Sequence, residues 1–193
     1  INAEAFGYNI ENRELMMAME ECAAEIANLV RYDDDAANIS PDESSVSIHT
    51  GRGQELSALL VAGADGKHSL CRDAAGIQVN SRMLDQSALT FNVTHSHPHK
   101  NISTEFHTPH GPCVFVPLPG NRSSVVWVTT PDETARLSVL SDEDLGLAAE
   151  RQSHSILGRM QAEAGRHVFP LTIETPSALA ARRIVLVGEA AHV

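Results

Sequence analysis

The sequence has no long apolar run and few cations. Its longest uncharged apolar run, around residues 56–64, is much shorter than the ~20 residues that a membrane-spanning helix needs, and no positively flanked signal segment opens the chain. Fourteen Lys and Arg residues face 25 Asp and Glu residues, so the net charge is −11. Such a surface repels polyanions, and we expect no nucleic-acid partner.

Paired cysteines are also absent. Cys22, Cys71 and Cys113 are odd in number and far apart, without the spacing of metal or redox motifs. We interpret them as reduced thiols and expect a cytoplasmic protein. The chain begins at Ile1 and stops at Val193, directly after a predicted strand and its loop. We therefore expect it to be a fragment of a longer protein, although 193 residues suffice to bury a core.

Apolar periodicity predicts two helices and a series of short strands. One helix spans residues 13–30 with Asn12 as its cap, and the other runs from Ser141 to about Gly158. The acidic triplet at 33–35 lacks the ligand spacing of a calcium loop and is interpreted as a solvated turn within a small meander. The predicted strands are 27–32, 45–49, 55–62, 89–93, 102–107, 113–117, 123–129, 167–174 and 184–187.

The most informative stretch is residues 59–72, LLVAGADGKHSLCR. A short apolar run ends at a Gly-Ala-Asp-Gly turn, and Ser69 then stands where it could cap a helix. Glycines allow close backbone approach, a helix start offers free N–H groups, and Asp65 could accept from a sugar hydroxyl. These features make the stretch a candidate nucleotide site.

Two motifs together resemble those of single-component flavin-dependent aromatic hydroxylases. The first is Gly63-x-Asp65-Gly66-x-x-Ser69-x-x-Arg72, which resembles the Asp-Gly fingerprint that lies beside FAD and the nicotinamide cofactor in that family. The second, 183-RIVLVGEAAH-192, resembles the family's Gly-Asp-Ala-Ala-His fingerprint, whose acidic residue binds the FAD ribose.

The resemblance is strongest to the ubiquinone-biosynthesis branch, and it nominates cofactor-binding residues. The segment 6-FGYNIENREL-15 resembles one in which an arginine at a helix start reaches FAD, a role that Arg13 would take. The other implied FAD contacts are Asp65, Gly66, Gly188 and Glu189. Glu189 departs from the usual aspartate: it keeps both acceptor oxygens but adds one methylene group. No catalytic residue is assigned.

The resemblance implies an α+β fold made of parts of two domains. Residues 1–80 would be the remnant of a FAD/NAD(P)-binding domain, with helices and a small antiparallel meander. Residues 81–176 would form a substrate domain with a mostly antiparallel sheet and a helix, and residues 177–193 would return to the FAD-binding domain. The family's Gly-x-Gly-x-x-Gly turn for the FAD pyrophosphate is absent from the sequence.

The implied function is hydroxylation of an aromatic ring. The parent enzyme would use FAD, NAD(P)H and oxygen on a polyprenylated phenol of the ubiquinone pathway. A lipophilic substrate implies a peripheral encounter with the inner face of a membrane. Without the pyrophosphate turn, we expect the chain alone to be inactive and to bind FAD weakly or not at all, so a non-catalytic binding or structural module is one alternative.

Histidines provide the other alternative. His95, His97 and His99 alternate, so an extended strand would place them on one face, with His107 and His110 following in sequence. Imidazoles so arranged can bind a metal ion. Pro98 disturbs such a strand and no second-shell acceptor is evident, so we assign no metal site and interpret these histidines as surface or pocket-lining residues.

Overall fold

The computed structural model describes residues 7–193, and the chain divides into two compact units. Unit 1 contains the described residues up to Leu29 together with Leu84–Leu171, and unit 2 contains Val30–Met83 and Thr172–Val193. Helices and sheets are mixed throughout, and every strand pair of the large sheet whose register is given is antiparallel. The predicted α+β class is confirmed, whereas the domain boundaries at 80 and 176 stay predictions.

The helices and strands follow one another along the chain in the order given next. They are α1 (Asn12–Ala24), β1 (Ala36–Pro41), β2 (Val46–Thr50), β3 (Glu55–Ala58), β4 (Val61–Gly63), α2 (Leu70–Ala74), β5 (Val79–His95), β6 (Thr104–Thr108), β7 (Gly111–Leu118), β8 (Arg122–Thr129), α3 (Pro131–Ser138), α4 (Asp142–Gln152), β9 (Met160–Ala162), β10 (His167–Pro176), β11 (Ala180–Ala181) and β12 (Ile184–Leu186). A 3₁₀ turn, Gly188–Ala190, follows β12.

Unit 2 contains the predicted meander and a second small sheet. β1, β2 and β3 form a three-stranded antiparallel sheet. In the second sheet β12 lies between β11 and β4, and it runs parallel to β4. Helix α2 contributes to the same core. Its buried apolar residues are Ile39, Val46, Cys71, Ala75, Ile77, Ile184, Leu186, Ala190 and Ala191.

Two strand predictions in unit 2 need correction. Residues 27–32 form no strand, and the first strand begins at Ala36. Just before this strand, the Asp34 carboxylate accepts a hydrogen bond from the Arg52 N–H at 3.0 Å. Only Ile39 of β1 is buried, so β1 shows no apolar alternation. The predicted strand 55–62 is two strands in different sheets, because strand pairing is interrupted at the exposed Leu59 and Leu60.

Unit 1 is built on a large sheet with the order β10-β5-β8-β7-β6, and β9 pairs with the last three residues of β5, on the strand edge opposite β8. Alternate residues of β5, β7 and β8 are buried, as a sheet with one covered face requires. Leu137 of α3 and Leu145 and Ala149 of α4 belong to the same core as these strands. The other face of the sheet is partly exposed.

The helices of unit 1 differ from prediction at their ends. Helix α1 begins at Asn12 with Glu11 as its cap, ends at Ala24 and buries no residue. Helix α4 is capped by Ser141 as predicted, but it ends at Gln152 because His154 and Ser155 adopt left-handed backbone angles. Helix α3 was not predicted, although Thr130 followed by Pro131 and two acidic residues is a helix-start pattern. No helix within residues 7–193 combines the length and the apolar character needed to span a membrane.

The histidine segment leaves the sheet after His95, the last residue of β5. The His95 Nδ1 atom lies 2.8 Å from the His97 carbonyl oxygen, and Nε2 lies 3.0 Å from the Ser123 hydroxyl. Since a carbonyl only accepts, Nδ1 carries the proton and Nε2 accepts from Ser123. His99 Nε2 likewise donates to the carbonyl oxygens of Leu118 and Gly120. In the described part of the chain, no three His, Cys, Asp or Glu side chains form a group that could hold a metal ion.

We expect the free energy of unfolding of unit 1 to fall as the pH drops below about 6.5. Burial lowers the pKa of His95, so the unfolded state takes up the proton first and protonation favours unfolding. The stabilisation is therefore complete above about pH 6.5 and is lost below it. Urea unfolding followed by the single tryptophan, the buried Trp127 of β8, measures this between about pH 5 and about pH 8.

His95→Asn keeps an N–H donor but removes the titration, so it should flatten the pH dependence. His110→Asn, at an exposed position, is the control and should leave the slope unchanged. Equal slopes for wild type and His95→Asn would contradict the assignment.

Candidate functional site

The two fingerprints lie at the same edge of one sheet. Strand β4 ends at Gly63 and β12 ends at Leu186, and these two residues are paired in the parallel register. The Val187 N–H continues the ladder by donating to the Gly63 carbonyl oxygen at 2.9 Å. In parallel strands the carboxyl ends meet at one edge, which is where α/β proteins bind ligands. We call Asp65, Gly66, Gly188 and Glu189, which follow these strand ends, the strand-end site.

Within the strand-end site, the Asp65 carboxylate accepts two hydrogen bonds from the start of α2. One carboxylate oxygen accepts from the Ser69 hydroxyl at 2.6 Å, and the other accepts from the Cys71 N–H at 3.0 Å. Burial alone would raise the pKa of Asp65, but these hydrogen bonds outweigh it, and the pKa is lowered. Burial and the Asp65 charge raise the pKa of the Cys71 thiol to about 11, so the thiol stays protonated.

This arrangement corrects one sequence-based expectation. The start of α2 was expected to offer free N–H groups to a phosphate, but Asp65 takes the Cys71 N–H and the Ser69 hydroxyl takes the Arg72 N–H at 3.0 Å. The predicted cap at Ser69 is confirmed. Helix α2 is only five residues long, and the N–H groups of Cys71, Arg72 and Asp73 are already bonded within the chain.

Arg72 connects the two fingerprints, a role that the sequence did not predict. Its side chain is buried, with 8% exposed. One Nη atom donates to the Lys67 carbonyl oxygen at 2.7 Å, in the first fingerprint, and the other donates to the Ala190 carbonyl oxygen at 3.2 Å, in the second. Its Nε atom is buried without a hydrogen-bond partner among residues 7–193. The only sequence signal was the place of Arg72 in the motif.

Gly66 and Gly188 both have left-handed backbone angles, with φ of 78° and 61°. An added Cβ atom would meet no atom within 4 Å at either position. Glycine is therefore required by the backbone conformation and not by crowding. Glu189 is exposed in the 3₁₀ turn, so its carboxylate is available as an acceptor.

A sequence profile of the family described as FAD binding domain matches residues 6–193. The chain belongs to this family. The ubiquinone hydroxylase UbiL of Rhodospirillum rubrum is 33% identical to this chain over 187 residues, which cover 96% of the chain and 44% of UbiL. The ubiquinone biosynthesis monooxygenase COQ6 of Mus musculus is 28% identical over 235 residues, covering 99% of the chain and 49% of COQ6.

Solved structures show the same fold. The structure of p-nitrophenol 4-monooxygenase PnpA from Pseudomonas putida superposes on this chain with a TM-score of 0.72 at 18% identity. The match covers 94% of this chain and 47% of PnpA. The predicted resemblance to flavin-dependent aromatic hydroxylases of the ubiquinone branch is confirmed by these matches. The chain spans about half the length of the curated relatives it matches.

The residues of the strand-end site fit the cofactor of a FAD-binding domain. At Gly66 and Gly188 the backbone is open to an approaching group, and the Glu189 carboxylate suits a ribose hydroxyl, which is a donor. Arg13, the fifth nominated residue, belongs to unit 1, where it is exposed in the first turn of α1. The assignment of these five residues to FAD stays a prediction.

Unit 1 has a cavity of about 510 Å³ on the sheet face opposite α3 and α4. Segment 8–12, which leads into α1, forms one wall, and side chains of β5, β7 and β8 form the other. We call it the sheet cavity. The sheet residues that line it are Asn92, Val116, Leu118 and Ser124.

We expect Arg72→Lys to destabilise the pairing of β4 with β12. A lysine keeps the charge, but one ammonium group cannot reproduce the fork that reaches both carbonyl oxygens, and leaving a buried acceptor unpaired costs about 1–3 kcal/mol. Hydrogen exchange of the Val187 amide, which bonds to Gly63, reports this loss directly. Arg82→Lys, at an exposed position of unit 2, is the control, and unchanged Val187 protection in Arg72→Lys would show that the link is unimportant.

Proposed function

We propose that the chain is part of a flavin-dependent monooxygenase that hydroxylates an aromatic ring in the ubiquinone pathway, with NAD(P)H and oxygen as co-substrates. The observation that carries this proposal is the parallel pairing of β4 with β12, which brings both family fingerprints to one sheet edge. Two relatives over almost the whole chain, UbiL and COQ6, carry names that state a ubiquinone hydroxylase or monooxygenase.

Each residue of the strand-end site has a proposed task, and so do Arg72 and Arg13. Gly66 and Gly188 let the backbone approach the cofactor, and Glu189 accepts from the ribose hydroxyls. Asp65 and Arg72 act mainly by holding the two turns in place, since their polar atoms bond to the turns themselves. Arg13 would reach FAD from the start of α1. FAD, when bound, supplies the redox chemistry with NAD(P)H and oxygen.

We place the aromatic substrate in the sheet cavity. Val116 and Leu118 provide apolar contacts for a ring, whereas Asn92 and Ser124 provide hydrogen-bonding groups for a phenol hydroxyl. Residues 81–176 would then serve the substrate, with segment 8–12 as the other wall of the cavity, and the rest of residues 1–80 together with residues 177–193 would serve the cofactor. A polyprenyl substituent on the phenol would stay in the bilayer, so the enzyme would meet the inner face of a membrane peripherally. The net charge of −11 gives no electrostatic attraction to anionic lipids.

The alternative of a non-catalytic module applies to the chain in isolation. The sequence has no Gly-x-Gly-x-x-Gly turn to hold a pyrophosphate. We therefore propose that this chain alone binds FAD weakly and does not turn over, and that the complete hydroxylase does both. Tight, stoichiometric FAD in the purified chain would overturn the first part of this statement.

In the complete hydroxylase, Glu189→Gln should weaken FAD binding by about tenfold or more, because a hydrogen bond to a charged acceptor contributes about 1.5–3 kcal/mol. Glu189→Asp, the residue usual in the family, should retain most of the affinity. Titration of the apoenzyme with FAD, followed by flavin fluorescence, measures both. Glu143→Gln, at an exposed position of α4, is the control, and equal affinities for Glu189→Gln and wild type would remove Glu189 from the site.

A further inference from the structure

The first residue of β8, Arg122, holds two acidic side chains at once. Its Nε and Nη2 atoms donate to the two carboxylate oxygens of Glu163 at 2.7 and 2.8 Å, which is a bidentate pair. Its remaining nitrogen, Nη1, lies 3.7 Å from a carboxylate oxygen of Glu11. One guanidinium group therefore joins three segments of unit 1 that are far apart in sequence.

The contact with Glu11 reaches the segment that leads into α1. Glu11 is the N-cap residue of this helix, and its carbonyl oxygen accepts from the Leu15 N–H at 3.1 Å. Glu11 also lines the sheet cavity. Helix α1 has no buried residue, so the polar contact at its start contributes more to its placement than it would in a helix that is packed into a core.

The contact with Glu163 leads to the opposite wall of the same cavity. Glu163 follows β9, and its backbone N–H donates to the Asn92 carbonyl oxygen at 2.8 Å. The Arg122 guanidinium lowers the pKa of Glu163, and a hydrogen bond with the Asn92 side chain lowers it further. Asn92 is one of the polar residues of the sheet cavity. Arg122 thus connects both walls without lining the cavity itself.

Stability is not a sufficient reason for this arrangement. About a third of the Arg122 side chain is exposed, and an exposed ion pair contributes little to folding. What the guanidinium provides is geometry: a planar fork fixes the direction of its third nitrogen, which a lysine ammonium cannot do. Arg122 also stands between Glu11 and Glu163, whose like charges would otherwise repel.

We propose that Arg122 is a positioning residue of the sheet cavity, which holds the start of α1 at a fixed distance from the wall that carries Asn92. It would thereby set the width of the cavity and the position of Arg13, two residues beyond Glu11. The link to an aromatic substrate rests on the proposed function; the mechanical link between Arg122 and α1 does not.

The first test measures the mechanical link in this chain. Arg122→Gln and Arg122→Lys should increase hydrogen exchange at the Leu15 amide and the following α1 amides about threefold or more, and Glu11→Gln should do the same. The matched control is Arg136→Gln. Arg136 makes the same bidentate contact with Glu133, at 2.7 and 2.8 Å, but within α3. Unchanged exchange in both Arg122 variants would overturn the proposal.

The second test measures the consequence in the complete hydroxylase. Arg122→Lys should raise the KM for the phenol several-fold while kcat changes less, and Arg136→Gln should change neither. Arg122→Gln should be worse than Arg122→Lys, because only the lysine keeps the charge between the two carboxylates. Faster α1 exchange with an unaltered KM would overturn the role at the cavity. If the wild type hydroxylates no phenol, the proposed function fails, and the exchange experiment still decides whether Arg122 positions α1.

Discussion

The parallel pairing of β4 with β12 is the constraint on which the candidate site depends. These short strands come from distant parts of the sequence, and their register sets Gly63 beside Leu186. Three residue pairs alone make a weak ladder, and buried contacts around it supply the rest. Arg72 binds one carbonyl oxygen in each following turn, while Ile184 and Leu186 are buried in the core of unit 2. The turns that carry Asp65 and Glu189 are therefore held as one feature.

In unit 1, one face of the large sheet is covered by helices and the other face borders the sheet cavity. Helices α3 and α4 bury the face that includes Leu89, Phe91 and Val93. The opposite face keeps a mixture of apolar and polar side chains and borders the sheet cavity. Because the sheet is rigid and hydrogen-bonded along its length, side chains on that face have fixed positions, which is what a binding surface needs.

Local sequence signals predicted local structure well. Ser69 and Ser141 cap helices as expected, and the alternation from Leu89 to Val93 marks a strand with one buried face. Where the local signal was weak, prediction failed: β1 has a single buried residue, and its pairing with β2 decides its conformation. Pro98 was expected to disturb a strand through His99, and β5 does end at His95, after which the side chains of His95 and His99 bond to nearby carbonyl oxygens.

The candidate site shows the same division between local and distant information. The resemblance to the family fingerprints nominated Asp65, Gly66, Gly188 and Glu189, and the strands place all four at one sheet edge. Spacing could not show that Asp65 is engaged by its own helix or that Arg72 reaches Ala190, because those contacts depend on tertiary packing. The connection of Arg122 to Glu11 and Glu163 is likewise invisible along the sequence, since every partner lies in a different element.

We propose that the two turns form one FAD site. Titration of the ¹⁵N-labelled chain with FAD, followed by amide chemical shifts, tests it most directly and tolerates weak binding. If the site is single, the amide signals of Gly66, Gly188 and Glu189 shift together along one saturation curve. Shifts confined to one turn, or two curves with different dissociation constants, would show that the two turns do not form a single site.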